Sequence, residues 1–300
     1  MKRVFCVLLV VLLCLSMTGC SLFSKGNLSR TKLNERFDAY EPEVSETIPY
    51  VYFNTLIFDD VSLDFDNLIG AGTFHEVYAV QGDTVWFGYA DDERTEDGFC
   101  TWNIATVRLD GTNITVCYSG VFGVGDGADK NYTQSNVGWS DHNDNGYYHE
   151  GKIVLTDGVK TVALDLQTNQ PTEFAAADYG HPTATVKAEK VDSQTIVFAK
   201  DGVQKTFDVN CAKQTSDIFG DLYELEKEKN WEGVSCLSKL FAGVQVVGDK
   251  AYVFCRVLNW DGETHALVFG YDYDTNGCKY VFHRFMNDLI LHRLYVVPTI

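Results

Sequence analysis

The sequence predicts an all-β fold, a propeller-like array of about five four-stranded antiparallel blades carrying a short helical insertion. Three observations carry that expectation. Strand-like runs recur in units of four, tight-turn residues punctuate them, and the strands are apolar on both faces.

The repeat is clearest in two copies. One begins Val77-Tyr78-Ala79-Val80-Gln81-Gly82-Asp83-Thr84-Val85-Trp86-Phe87, the other Val244-Gln245-Val246-Val247-Gly248-Asp249-Lys250-Ala251-Tyr252-Val253-Phe254. Each is an apolar strand, a Gly-Asp turn, and a strand rich in β-branched and aromatic residues. A polar loop follows, residues 91–98 and 259–263, then a third strand and a second turn. That turn is Leu109-Asp110-Gly111-Thr112-Asn113 in one copy and Tyr273-Asp274-Thr275-Asn276-Gly277 in the other; Ile114–Tyr118 and Cys278–Phe282 close the units. Weaker versions lie between them, one around residues 151–169 and one around residues 185–209.

Strand chemistry separates a propeller from a two-sheet sandwich. Ala251, Val253, Cys255 and Val257 alternate with Tyr252, Phe254, Arg256 and Leu258, and His265, Leu267, Phe269 and Tyr271 alternate with Thr264, Ala266, Val268 and Gly270. A sheet solvated on one side alternates apolar with polar; these strands alternate small with bulky. Stacked blades bury both faces. The repeats resemble those of exported bacterial propellers of the TolB family and related lipoproteins, with Leu109-Asp110-Gly111-Thr112-Asn113 carrying most of the likeness. That resemblance implies an extracytoplasmic propeller.

The propeller-like domain is expected over residues 50–300. Helical spacing interrupts it at 216–242, where apolar residues fall at 218, 222 and 225 and again at 234, 237, 240 and 241. Two short helices with a break near Gly233 are expected there, packed on the domain edge.

The first residues give an address. Met1-Lys2-Arg3 is cationic, Val4 to Leu15 is an apolar run too short to span a bilayer comfortably, and Ser16-Met17-Thr18-Gly19-Cys20 ends on small residues before a cysteine. This resembles the bacterial lipobox. It implies removal of a signal peptide, residues 1–19, and a diacylglyceryl group on the Cys20 sulfur. Two or more acyl chains hold a protein stably at a membrane. Residues 20–49 are polar and weakly patterned and read as a flexible tether. The expected location is extracytoplasmic, lipid-anchored to the cell membrane or outer membrane.

The chain carries 24 basic and 42 acidic side chains. Without Lys2 and Arg3 the balance is 22 minus 42, or −20, which repels phosphate backbones and makes nucleic acid an unsuitable partner. Beyond Cys20 six cysteines remain, Cys100, Cys117, Cys211, Cys236, Cys255 and Cys278. They have no metal-ligand spacing and are read as structural. Cys255 with Cys278, or Cys100 with Cys117, are spaced to pair across strands, and buried free thiols fit a core of this size equally well.

Chemistry-bearing motifs are sparse. Asp141-His142-Asn143-Asp144-Asn145-Gly146 matches the first half of a calcium loop: Asp141, Asn143 and Asn145 offer oxygens at positions 1, 3 and 5, and Gly146 the left-handed turn. Position 12 is Lys152 rather than a carboxylate, so Ca2+ binding requires Glu150 or another loop as substitute. The histidines are scattered, Ser140-Asp141-His142 lacks an oxyanion device, and no GxSxG occurs. Asp91-Asp92-Glu93 reads as a solvated turn. Trp260 falls at a loop tip, where it is placed to stack on a ligand. The expectation is a binding or scaffolding lipoprotein for an envelope protein, glycan or peptide. The alternative is an envelope hydrolase whose loop carboxylates converge at the channel mouth.

Overall fold

The computed structural model describes residues 37–94, 99–123, 146–157, 159–180, 186–227, 241–258, 264–286 and 294–300. They form five antiparallel sheets in a propeller arrangement. Blade 1 contains β1 (Tyr50–Tyr52), β2 (Thr55–Phe58), β3 (Val61–Asp64) and the last strand of the chain, β19 (Leu294–Val296). Blade 2 is β4 (Thr73–Gln81), β5 (Thr84–Arg94), β6 (Phe99–Arg108) and β7 (Thr115–Gly123). Blade 3 is β8 (Gly146–His149), β9 (Lys152–Thr156), β10 (Lys160–Asp165) and β11 (Gln170–Ala175). Blade 4 has three strands, β12 (Val186–Lys190), β13 (Thr195–Lys200) and β14 (Val203–Asp208); blade 5 is β15 (Phe241–Val247), β16 (Lys250–Leu258), β17 (Thr264–Asp272) and β18 (Gly277–Met286).

The two turn types of the repeat do distinct work. Gly82 and Gly248 sit at φ 57° and 63° as the first residues of two-residue hairpins, where a side chain would be strained. In the second turn the strained position belongs to asparagine: Asn113, Asn169 and Asn276 lie at φ 57°, 55° and 51°. The aspartate opening each turn accepts from the backbone behind it, Asp110 from Thr112 N (3.0 Å), Asp165 from Thr168 N (2.9 Å) and Asp272 from Asp274 N (2.8 Å). Such bonds favour the ionised form. The Thr112 hydroxyl and N–H hold Asp110 below its usual range; at Asp272 burial pushes the other way and the turn N–H groups win.

Asn276 also clasps blade 4 to blade 5. Its Nδ2 donates to Thr206 O (2.9 Å) and its Oδ1 accepts from the Tyr271 hydroxyl (2.6 Å). Asn276→Ala is therefore expected to cost about 2–3 kcal/mol, the backbone strain plus the lost bonds. Asn276→Gly is expected to recover the strain part, about 1 kcal/mol. Equal losses for the two variants in urea unfolding would contradict this account.

The two-faced strands bury both faces as expected. In blade 5, Ala251, Val253 and Cys255 of β16 share a cluster with Leu267 and Phe269 of β17 and with Val186, Ile196 and Phe198 of blade 4. Tyr252, Phe254, Ala266 and Val268 on the reverse face meet Leu294 and Val296 of blade 1. Bulky residues on one strand oppose small ones on the next, so each face packs at even thickness. Blades 1 and 2 share a core around Phe65 and Phe87, and blades 2 and 3 one around Tyr78, Trp102 and Ile153.

The ring is fastened through its last strand. β19 pairs with β1 in register Tyr50↔Val296. Gln245 of β15 donates to Val296 O (3.0 Å) and accepts from Val296 N (2.8 Å). On the other side the Tyr295 hydroxyl accepts from Val77 N (2.8 Å), and Val80 exchanges backbone bonds with Pro298 and Ile300 (2.9 Å each). Blades 1, 2 and 5 thus meet on seven residues.

Three expectations need revision. Blade 4 is not two-faced: Val186, Ala188, Ile196, Phe198 and Phe207 face blade 5, whereas Lys187 and Glu189 are exposed on the reverse. Among the described residues no buried apolar cluster joins blades 3 and 4. The helix expected across positions 218, 222 and 225 is present as α3 (Asp217–Lys227), but it is preceded by a helix that spacing did not announce, α2 (Val209–Thr215), capped by Asp208; α1 (Phe65–Ile69) follows blade 1. Phe241, counted as helical, starts β15, and residues 228–240 lie outside the described residues. Finally, residues 37–49, read as the end of the tether, lie along blade 5. Phe37 is fully buried, Glu43 N donates to Tyr280 O (2.8 Å), and Glu43 Oε2 accepts from Tyr280 N (2.7 Å). Cys100, Cys117, Cys211, Cys255 and Cys278 are free thiols, so neither cross-strand pairing is present.

Candidate functional site

A groove of about 600 Å3 opens at the turn end of blade 5, within the size range of ligand sites. Its walls come from three places. Residues 43–48 form one side; the turns at 248–252 and 270–274 form the floor, with Lys279 and Val281; Lys200 of blade 4 closes the third side. No residue of β4, β8, β12, β15 or β19 lines it.

Each element places its side chains for a local reason. The Gly248-Asp249 hairpin projects Asp249 and Lys250 outward. Lys250 Nζ lies 3.0 Å from Glu46, tying the wall to the floor, and Lys200 Nζ lies 3.9 Å from Asp249 and 5.1 Å from the centre of the Tyr273 ring. The Lys205 ammonium donates to the Tyr273 carbonyl from the blade 4 side. Tyr252, Tyr271 and Tyr273 lie beneath the groove: Tyr252 and Tyr271 are 5% and 7% exposed, and the Tyr271 ring is stacked on Phe198 with 3.7 Å between centres. Burial, reinforced by Glu46 and Asp249, pushes the Tyr252 hydroxyl up to about 12; burial and Asp249 do the same at Tyr273. These phenols stay protonated at any physiological pH, as donors rather than bases.

Four of the groove's five carboxylates are engaged: Glu43 holds the Tyr280 backbone, Glu46 and Asp249 hold lysines, and Asp272 caps its own turn, while Asp274 lies exposed on the rim. Among the described residues no three His, Cys, Asp or Glu side chains are placed to hold a metal ion. The arrangement offers fixed charges of both signs. It does not offer a nucleophile with an adjacent base.

Cys20, Asp141, Asn143, Asn145 and Trp260 lie outside the described residues. Two neighbours of the calcium motif are described. Gly146 does not take the left-handed turn expected of it; it opens β8, where an added Cβ would come within 2.5 Å of Leu155 Cδ2 and 2.8 Å of the Tyr78 hydroxyl. Glu150, the substitute ligand, lies in the β8–β9 turn, about 13 Å beyond Gly146 along an extended strand. Asp91-Asp92-Glu93, expected as a solvated turn, instead continues β5, where Asp91 accepts from Asn103 Nδ2 at 2.9 Å and is a structural acceptor. Groove residues escaped sequence reasoning because they come from four separate segments; the Gly-Asp and Asp-Thr-Asn turns were the only local signal.

The histidines of blade 5 lie at its other end. His265 is five residues from Gly270, about 17 Å along β17. No helix of the described residues is long and apolar enough to cross a membrane. No protein-family model matches the chain and no curated protein matches it in sequence, so the groove has to be understood from its own geometry.

Proposed function

We propose that the protein is a lipid-anchored binding protein of the bacterial envelope, attached through Cys20, whose propeller presents the blade 5 groove to a peptide or glycopeptide bearing both charge signs. The observation that carries this reading is the groove's set of paired charges, Glu46 with Lys250 and Asp249 with Lys200, beside three tyrosines held neutral. A ligand with an amine and a carboxylate can exchange into such pairs without leaving a charge unmatched. Four of the five groove carboxylates are engaged and no histidine among the described residues lines the groove, which argues for binding over hydrolysis, since hydrolysis needs a paired acid and base at reacting distance.

The tether supports the same reading. Seventeen residue steps separate Cys20 from Phe37, a reach of at most about 60 Å. Phe37 lies beside His265, at the end of blade 5 away from the groove, so attachment through Cys20 leaves the groove unobstructed by the link. The TolB-like character of the repeats agrees with an exported propeller.

The test is quantitative binding of soluble wall-derived peptides to the Cys20→Ser protein. Cys20→Ser is expected to move the chain from the membrane to the soluble fraction. Lys200→Ala with Lys250→Ala is expected to weaken peptide binding at least tenfold with little change in unfolding midpoint, since exposed ion pairs stabilise by about 0–1 kcal/mol. Affinity unchanged by the double substitution would remove the groove from the proposal. Cleavage of the peptide would replace binding with hydrolysis.

A further inference from the structure

The segment that leads from the tether into blade 1 is fastened at both ends of blade 5, by unlike chemistry. At the groove end the fastening is the Glu46–Lys250 ion pair, and midway it is the pair of backbone contacts between Glu43 and Tyr280. At the far end the fastening is aromatic and imidazole. Phe37 packs with its ring centre 4.7 Å from that of His265 and 6.2 Å from that of His283. Asp38 Oδ1 lies 3.2 Å from His283 Nε2, whose Nδ1 lies 2.9 Å from the Tyr280 hydroxyl. The Tyr40 hydroxyl donates to Asp221 of α3 at 2.5 Å.

His265 is the unusual member. It is 1% exposed, Phe37 covers it on one side and Phe285 (5.0 Å between centres) on another, and neither ring nitrogen has a hydrogen-bond partner. A neutral imidazole tolerates that enclosure. An imidazolium there carries two N–H donors with nothing to receive them and a charge without water. Among the described residues the charged and titratable groups around the pair are Asp38 on the strap, Asp221 on α3, bonded to Tyr40, and Tyr280 and Arg284 on β18. Asp38 already serves His283.

We infer that residues 37–48 are an acid-released strap: protonation at His265, seconded by His283, expels Phe37–Tyr40 from blade 5 and frees the segment between tether and propeller. The titration has the required direction. Burial, then the neighbouring His283, depress His265 to about 4 against a small opposing pull from Asp38; burial depresses His283 further than Asp38 raises it. In a released strap both imidazoles return to about 6.5. A base depressed in the closed form stabilises that form fully above about 6.5 and loses the contribution as pH falls toward 4. At pH 5 His265 alone shifts the balance toward release about thirtyfold. Because residues 43–48 wall the groove, release also dismantles that wall. This last consequence rests on the groove being the ligand site; release itself does not.

The experiment is hydrogen exchange of the full chain without ligand at pH 7.5 and 5.0, corrected for intrinsic rates. Amides of residues 37–48, Glu43 among them, are expected to lose about thirtyfold protection at pH 5.0 while blade 2 keeps its own. His265→Phe, which retains the ring and removes the titration, is expected to lose less than threefold. Unchanged wild-type protection, equal loss in blade 2, or the full loss in His265→Phe would each overturn the strap. A proton NMR titration of His265 in the unaltered chain gives a readout independent of any variant; a midpoint at or above 6.5 would equally overturn it. Ligand binding enters none of these measurements, so their failure is distinct from failure of the groove.

Discussion

Deleting residues 294–300 is expected to abolish cooperative unfolding, leaving a chain with strand signal in circular dichroism and no sharp transition in urea or heat. The segment is short, yet it fills three roles. Leu294, Tyr295, Val296 and Val297 are all buried, and at about 2 kcal/mol each their removal costs about 8 kcal/mol, comparable to the whole stability of a typical domain. The deletion also strips β1 of its ladder partner and leaves Val77 N and the Gln245 amide without theirs. Blades 1 and 2 would then face blade 5 across an open gap. Tyr295→Phe is the graded version: it keeps the packing and removes the acceptor of Val77 N, for about 1–2 kcal/mol. A truncated chain that unfolds at the full-length midpoint would mean that the ring is not closed through this strand.

That closure also explains how much of the fold was legible. Blades 2 and 5 were visible because each is a local meander whose strands run seven to eleven residues and whose turns advertise themselves as Gly-Asp and Thr-Asn. Blade 1 was not visible as a blade. Its local strands are three or four residues long, and its fourth comes from the far end of the chain, where no local pattern can announce the partner. Blade 4 carried its own warning. The strand Val186-Lys187-Ala188-Glu189 alternates apolar with charged, the pattern of a sheet wetted on one side, and the structure buries only the valine and alanine face.

The candidate site was less legible, for a related reason. Residues 37–49 look like tether by composition, with Asp38, Glu41, Pro42 and Glu43 close together. What binds them to blade 5 is Phe37 and Tyr40, two aromatic side chains in a polar stretch, meeting partners 228 and 181 positions away in His265 and Asp221. A histidine on an apolar strand reads as core from sequence, and His265 is indeed in the core; only coordinates reveal that its cover is the strap. The groove has the same origin, since a wall at 43–48 and a floor at 248–252 share no sequence pattern.

Gln245 supplies the second large effect and a way to isolate the closure from hydrophobic burial. It interrupts the apolar run Val244-Gln245-Val246-Val247, a position where a valine or leucine would satisfy the strand pattern. Its amide donates to Val296 O and accepts from Val296 N while remaining neutral at every pH. Gln245→Leu keeps volume and apolar character but orphans two buried backbone groups, at about 1–3 kcal/mol each, so a loss of about 4 kcal/mol in urea unfolding is expected. Gln245→Glu separates the two bonds by pH. Protonated, the carboxyl can donate and accept as the amide does; ionised, it loses the donor and places a charge beside a carbonyl oxygen in a buried site. The carboxyl is therefore expected to titrate above its usual value of about 4.3 in the folded state. With the folded value raised, the stabilising contribution is full below about 4.3 and is lost as pH rises, by about 1.4 kcal/mol per unit, until the folded value is passed. Relative to the parent chain, Gln245→Glu should thus be nearly as stable at pH 4 and several kcal/mol weaker at pH 7, while Gln245→Leu shows no such slope. A flat difference for both variants would place Val296 in contact with water and deny the glutamine its part in closing the ring.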